Sequence, residues 1–176
     1  IEKPLSHDEE RLTELEEVVR QKKVKVLIGY VLRHDPAAQY FKDKLENTVV
    51  GELLHARIEC GSYLPDWRPG QDFRQTASAR RELGGGVLLE LSHELDYARW
   101  FFGPFMKLQA CLNNSGTLGI KVEECAELLL ETLDGLPVQV HLDFHRRHPK
   151  RTCIVHGTDG ELCWDSITGQ VCFKPA

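Results

Sequence analysis

The chain lacks any apolar run of the ~18 residues that a membrane-spanning helix needs, and it carries no signal peptide; both absences argue against a transmembrane span. It has no Cys-x-x-Cys pair. Its six cysteines, Cys60, Cys111, Cys125, Cys153, Cys163 and Cys172, are scattered, so the spacing of a structural zinc site is missing and no metal centre is expected. Basic charge is not in excess, since 22 Lys and Arg stand against 27 Asp and Glu for a net charge of -5, which argues against a nucleic-acid partner. Gly-x-Gly-x-x-Gly, internal repeats and low-complexity stretches are also absent. The chain does not begin with methionine, and a start inside a motif is the expectation for a piece cut from a longer protein.

What is present is ordinary for one folded domain: 41% apolar and 28% charged residues in 176. An even cysteine count permits disulfides, but a domain of this size does not need them. Several cysteines sit in alternating runs, where a free thiol acts as a small apolar residue. Reduced thiols and a cytoplasmic protein are expected. The short basic clusters, Arg80-Arg81 and Arg146-Arg147-His148 with Lys150-Arg151, lie among acids and read as solvated faces.

Along the chain, Ser6 and Glu9 have capping-box spacing, and Leu12, Leu15, Val18 and Val19 recur at helical intervals up to about Lys22. Val24 to Tyr30 alternates and reads as a strand. Pro36 opens a second helix, ending near Glu46. Gly51 to Gly61 reads as a long strand. Residues 62–83 form a long segment rich in Arg, aromatics and Pro, of a length that in compact domains is usually functional. A single helix is expected over about Val87 to Phe102, stopped by Gly103-Pro104. The last third reads as strands over Lys107–Asn113, Glu123–Thr132, Pro137–Arg146 and Arg151–His156. Asp134-Gly135, Asp159-Gly160 and Thr168-Gly169 mark tight turns between antiparallel neighbours. The expected fold is α/β (α+β), an open, largely antiparallel sheet with helices packed on one face, and a second subunit is the simplest cover for the other face.

The most informative stretch is Gly84-Gly85-Gly86 followed by an apolar helical run to Asp96. Glu90, His93, Asp96 and Tyr97 share a helical face. A histidine beside carboxylates suits general acid/base work, because its pKa lies near neutrality and a carboxylate can orient it. The alternative is a half-buried histidine that only packs. Three glycines permit close backbone approach before the helix, and they also suit a plain loop. Arg33 follows a strand end, where it can meet a ligand or a surface acid. Trp67-Arg68 and Arg74 offer a flat apolar surface and forked donors suited to a sugar, phosphate or carboxylate, or else Trp67 merely pins the loop.

Taken together, Glu2-Lys3-Pro4, Gly29-Tyr-x-x-Arg33, Gly84-Gly85-Gly86 with His93-x-x-Asp96, His141-Leu-Asp-Phe and Ile154-x-x-Gly157-x-x-Gly160 resemble the Gfo/Idh/MocA dehydrogenases, over nearly the whole chain. The run from Tyr63 to His93 is most similar to members of surface-polysaccharide and nucleotide-sugar pathways. The resemblance implies the C-terminal domain of such an enzyme: residues 1–176 as one substrate-binding and dimerisation domain, with residues 1–5 as the tail of an N-terminal Rossmann domain. It implies hydride transfer between NAD or NADP and a hydroxyl-bearing carbon of a sugar or nucleotide sugar. Lys3, His93 and Glu90 would be catalytic. Arg33, Trp67, Arg68, Arg74 and Asp96 would bind substrate, and Glu2, Lys3 and Pro4 would border the cofactor, which the Rossmann domain mainly binds. This chain alone is expected to be inactive. Many members carry an aspartate four residues before the histidine. Leu89 occupies that position here and the nearest acid is Glu90, which keeps open a non-catalytic sugar-nucleotide-binding or dimerisation module of the same fold.

Overall fold

Alternating apolar residues in the last two-thirds of the chain build a seven-stranded sheet. The computed structural model describes residues 1–176. Its strands are β1 (Leu53–Gly61), β2 (Phe105–Asn113), β3 (Cys125–Thr132), β4 (Pro137–Asp143), β5 (Lys150–Gly157), β6 (Gly160–Asp165) and β7 (Gln170–Pro175), in the order β2-β3-β4-β1-β5-β6-β7. Every neighbouring pair is antiparallel except β1 with β4, which run parallel at the centre. The expected open, largely antiparallel sheet is therefore observed. The strands beyond Gly160 were marked only by their turns, the parallel pair was not foreseen, and the Pro137 strand ends at Asp143, short of Arg146.

Alternation separates two faces. Ala56, Ile58, Ala126, Leu128, Val138, Val140, Leu142, Cys153, Val155, Leu162 and Trp164 point inward and are buried. Helix α2 (Pro36–Glu46) covers this face through Ala38, Phe41 and Leu45, with the Asp35 side chain accepting a bond from the Ala38 amide at 2.8 Å. Helices α3 (Val87–Glu90) and α4 (His93–Phe102) complete the layer, where Tyr97, Phe101, Phe41 and Trp164 make an aromatic cluster. The opposite face carries His55, Arg57, Leu129, Gln139 and Ile154 and has no helix on it.

Three expectations change. Helix α1 (Leu12–Lys22) has the expected extent but not the expected start: Arg11 stands at its N-cap in the left-handed region, and no side chain caps it. Ser6 instead accepts the Asp8 amide, so the capping box does not form. Val24–Tyr30 does not join the sheet. It runs extended beside the chain start, with Ile1 donating its amino group to Leu27 O (3.0 Å) and Gly29 donating to Ile1 O (2.8 Å), the staggered bonding of parallel neighbours. The helix expected over 87–102 is two helices, broken at Leu91-Ser92.

Candidate active site

The glycine corner sets the site. Gly85 passes so close to the Ala77–Arg80 turn that a Cβ would stand 2.7 Å from Arg80 N and Ser78 O, and Gly86, at φ +116°, lies against the Glu123 carboxylate. Glu123 in turn starts α3, since Val87 N donates to its carbonyl at 3.1 Å and Leu88 N to its side chain at 3.2 Å. The close approach expected of the glycines is thus present. Residues 62–83, expected as a long loop, run as four single 3-10 turns. Trp67 pins them by donating to Ser62 Oγ at 2.8 Å and by edge packing on Phe144.

The helix break has a chemical partner. Ending α3 at Glu90 leaves backbone carbonyls unpaired, and Lys3 Nζ takes them, at 2.5 Å from Glu90 O and 3.4 Å from Leu89 O. The same ammonium lies 3.8 Å from the Glu90 carboxylate. Lys3 therefore reaches the site from the far end of the chain, directly before Pro4, to which it is joined by a cis peptide. Glu2 is exposed beside Gly29.

His93 follows at the first position of α4, half-buried, with Tyr30 edge-on at 5.6 Å between ring centroids. Its Nδ1 is buried with no hydrogen-bond partner. Burial, then the positive charges of Arg151 and Lys3, lower its pKa to about 4 against a smaller upward pull from Asp96. The ring is therefore neutral at pH 7 and can accept a proton. The two acids expected beside it serve cations instead. Glu90 faces Lys3, and Asp96 grips Arg33 with two bonds of 2.8 Å. Arg33, stacked over Trp100, is thus engaged by Asp96 and lies outside the cavity wall.

An open cavity of about 420 Å³ lies against His93, walled by Glu90, Ser62, Trp67, Lys150 and Arg151. Lys3, Glu90, His93 and Trp67 therefore come together. Arg68 and Arg74 do not join them: Arg68 is exposed and borders a small hollow with Trp67 and Phe73, and Arg74 pairs with Asp72 and borders a separate basic hollow with Arg80, Arg81 and Lys121.

Lys150 and Arg151 were missed. Read as part of a solvated basic cluster, they begin β5, whose alternation sends Arg151 inward and Lys150 outward. Arg151 Nε stands 2.7 Å from Oε1 of the fully buried Glu94, close but not aligned for a hydrogen bond. Lys150 and Arg146 both bond Glu59. Burial works to raise the Glu59 carboxyl, yet these two cations outweigh it and bring it down to about 2. The only advance signal was that the basic pair opens a strand. Chemically, an imidazole on a cavity lined by Lys150 and Arg151, with Lys3 held next to Glu90, suits taking a proton from a hydroxyl and holding the negative charge left on its oxygen.

The GFO/IDH/MocA C-terminal domain profile matches residues 38–163. The chain belongs to the Gfo/Idh/MocA family. Its relatives include an uncharacterized oxidoreductase of Synechocystis sp., 28% identical over 97% of this chain and 45% of the relative. By fold, the Gfo/Idh/MocA domain superposes on levoglucosan dehydrogenase in complex with NADH and levoglucosan (TM-score 0.81, 22% identity, 98% of this chain and 49% of that one). It also superposes on an inositol dehydrogenase homolog complexed with NAD+ from Azotobacter vinelandii (TM-score 0.85, 17% identity, 99% and 47%). The chain spans about half the length of the curated relatives it matches. No helix is long and apolar enough to cross a membrane.

Proposed function

We propose that the chain is the substrate half of an NAD(P)-dependent oxidoreductase acting on a hydroxyl-bearing carbon of a sugar. The observation that carries this is His93, with no partner on its buried Nδ1, on a cavity it shares with Glu90, Lys150 and Arg151, with Lys3 beside it. The nicotinamide, when bound, supplies hydride acceptance. His93 takes the hydroxyl proton as the C–H hydride leaves. Lys3, held on the α3 carbonyls, and Arg151, held by Glu94, favour the developing oxyanion. Trp67 gives the sugar ring a flat apolar wall. Glu2, Lys3 and Pro4 form the edge toward the cofactor, whose main binding falls to residues outside this chain, since no glycine fingerprint occurs within it.

The curated and structural relatives named for levoglucosan and inositol make unlinked sugars and cyclitols the first substrates to test. Nucleotide sugars of surface-polysaccharide pathways are the finer reading, and the basic hollow at Arg74 and Arg81 is the feature that could receive their phosphates. Residues 1–37 fall outside the matched domain, and we infer that its first thirty, with their exposed apolar side chains, pack against the cofactor-binding unit. The helix-free sheet face serves a homo-oligomer, for which sedimentation of the full-length protein is the test. The six free thiols suit the cytoplasm.

The deciding experiment is nicotinamide fluorescence with full-length protein and a panel of levoglucosan, inositols and nucleotide sugars. His93→Ala should lower kcat by about 10²–10⁴-fold with substrate binding kept. Binding without turnover in the wild type would favour the second reading, a sugar-binding module, which Leu89 in place of an acid and the engagement of Glu90 by Lys3 support.

A further inference from the structure

The helix-free face of the sheet holds a second cluster of chemically capable side chains, none of which lines the His93 cavity, although Asp143 lies beside Gly61 on its wall. Cys125 and Glu127 project from β3, and His141 and Asp143 from β4. The ladder sets Glu127 opposite His141 and Cys125 opposite Asp143. One donor atom each from Cys125, Glu127 and His141 lies within 4.8 Å of the others. We propose that Cys125, Glu127 and His141 bind a divalent transition-metal ion of the zinc class.

The case rests on donor chemistry and on how the histidine is held. His141 Nε2 lies 3.0 Å from Asp143 Oδ2, and a carboxylate can only accept there, so Nε2 carries a proton. Its other nitrogen, Nδ1, meets Glu127 Oε1 at 2.5 Å and by the same rule carries a proton there, which an ion bound at Nδ1 displaces. This is the arrangement of a metal-binding histidine whose remote N–H is fixed by a carboxylate, which sets both the tautomer and the ring orientation. Asp143 is itself immobilised: it is 5% exposed, and it accepts the His145 and Arg146 amides at 3.0 and 2.9 Å and the Arg146 guanidinium at 3.1 Å.

The donor set is one thiolate sulfur, one imidazole nitrogen and one carboxylate oxygen. That mixture favours Zn²⁺ among common cations over the all-oxygen preference of Mg²⁺ or Ca²⁺. A thiolate and one carboxylate neutralise a dication. Glu127 is exposed in the single chain, where water has access to a fourth position. An ordinary surface His–Glu pair offers neither a thiol within reach nor a buried carboxylate behind the ring. Ion binding here joins β3 to β4 beside the parallel β4–β1 seam, and it calls on none of the residues assigned to hydride transfer.

The test uses full-length protein with Co²⁺ and Zn²⁺ alone. One Co²⁺ per chain is expected, with a thiolate-to-cobalt charge-transfer band that Zn²⁺ abolishes. Cys125→Ser should lose the band, whereas Cys172→Ser, on the edge strand β7, should keep it. Asp143→Asn should weaken binding by about 10–100-fold. In the wild type, Zn²⁺ should slow alkylation of Cys125, read by peptide mass spectrometry, and leave the exposed Cys172 unprotected. No stoichiometric uptake, uptake without a thiolate band, or a band that survives in folded Cys125→Ser would overturn the site. The alkylation measurement decides the matter even where a variant fails to fold.

Discussion

Helices α1 and α2 are both eleven residues long and both carry one apolar face, yet they end in opposite surroundings. Helix α2 buries Ala38, Phe41 and Leu45 under β6 and Trp164. Helix α1 buries nothing, and its Leu15 and Val18 remain 37% and 51% exposed, as do Val24, Val26 and Leu27 after it. The backbone bonding differs too. The body's strand pairs are antiparallel except β1 with β4, whereas Ile1 and Leu27–Gly29 lie side by side in the parallel sense with α1 as the crossover between them. Amphipathic patterning thus states that a face will be covered, and it does not say by what. The arm spanning residues 1–30 adds no strand to the seven-stranded sheet and leaves its apolar side chains exposed. Its firm tie to the body is Lys3, which ends α3 and reaches the candidate site.

Removing the partner of a buried face should separate the two regions most. Phe41→Ala, in the aromatic cluster, should cost about 3–5 kcal/mol in urea unfolding. Next in size is the charge network on the body. Glu59 has a folded pKa of about 2 against an ordinary value of 4.5, so as pH falls the unfolded chain takes the proton first. Its contribution is complete above about pH 4.5 and is lost toward pH 2. Glu59→Gln should remove about 1–2 kcal/mol at pH 7 and flatten the acid limb of stability in the same unfolding assay. His93 acts with the same sign at higher pH. Held at about 4 against 6.5, it favours the folded state above 6.5 and loses that preference as pH drops toward 4. The smallest effect belongs to the arm. Val18→Ala should change the stability of this chain by less than about 0.5 kcal/mol. The same substitution in the full-length protein should cost about 1–2 kcal/mol if α1 is covered there. Equal costs in both would remove the assignment of the arm to another domain.

Much of this was readable beforehand where a local rule acts alone. Pro36 after Asp35 fixed the start of α2, Asp134-Gly135 and Asp159-Gly160 marked hairpins, and three glycines before an apolar run foretold a tight backbone passage. Rules that depend on a distant partner failed. The break at Leu91-Ser92 goes with Lys3, 86 positions away from the carbonyl of Leu89, so the 87–102 periodicity read as one helix. Lys150 and Arg151 read as solvent-facing because their acids, Glu59 and Glu94, lie on other elements.

The sequence by itself determined most of the strands, their tight turns and the presence of His93 behind a glycine corner, because strand alternation, turn chemistry and glycine's freedom are local properties of the chain. Only the tertiary structure decided which charges surround that histidine and which donors meet across β3 and β4. Field strength and coordination depend on distance in space, and the register that sets those distances is a property of the paired strands together.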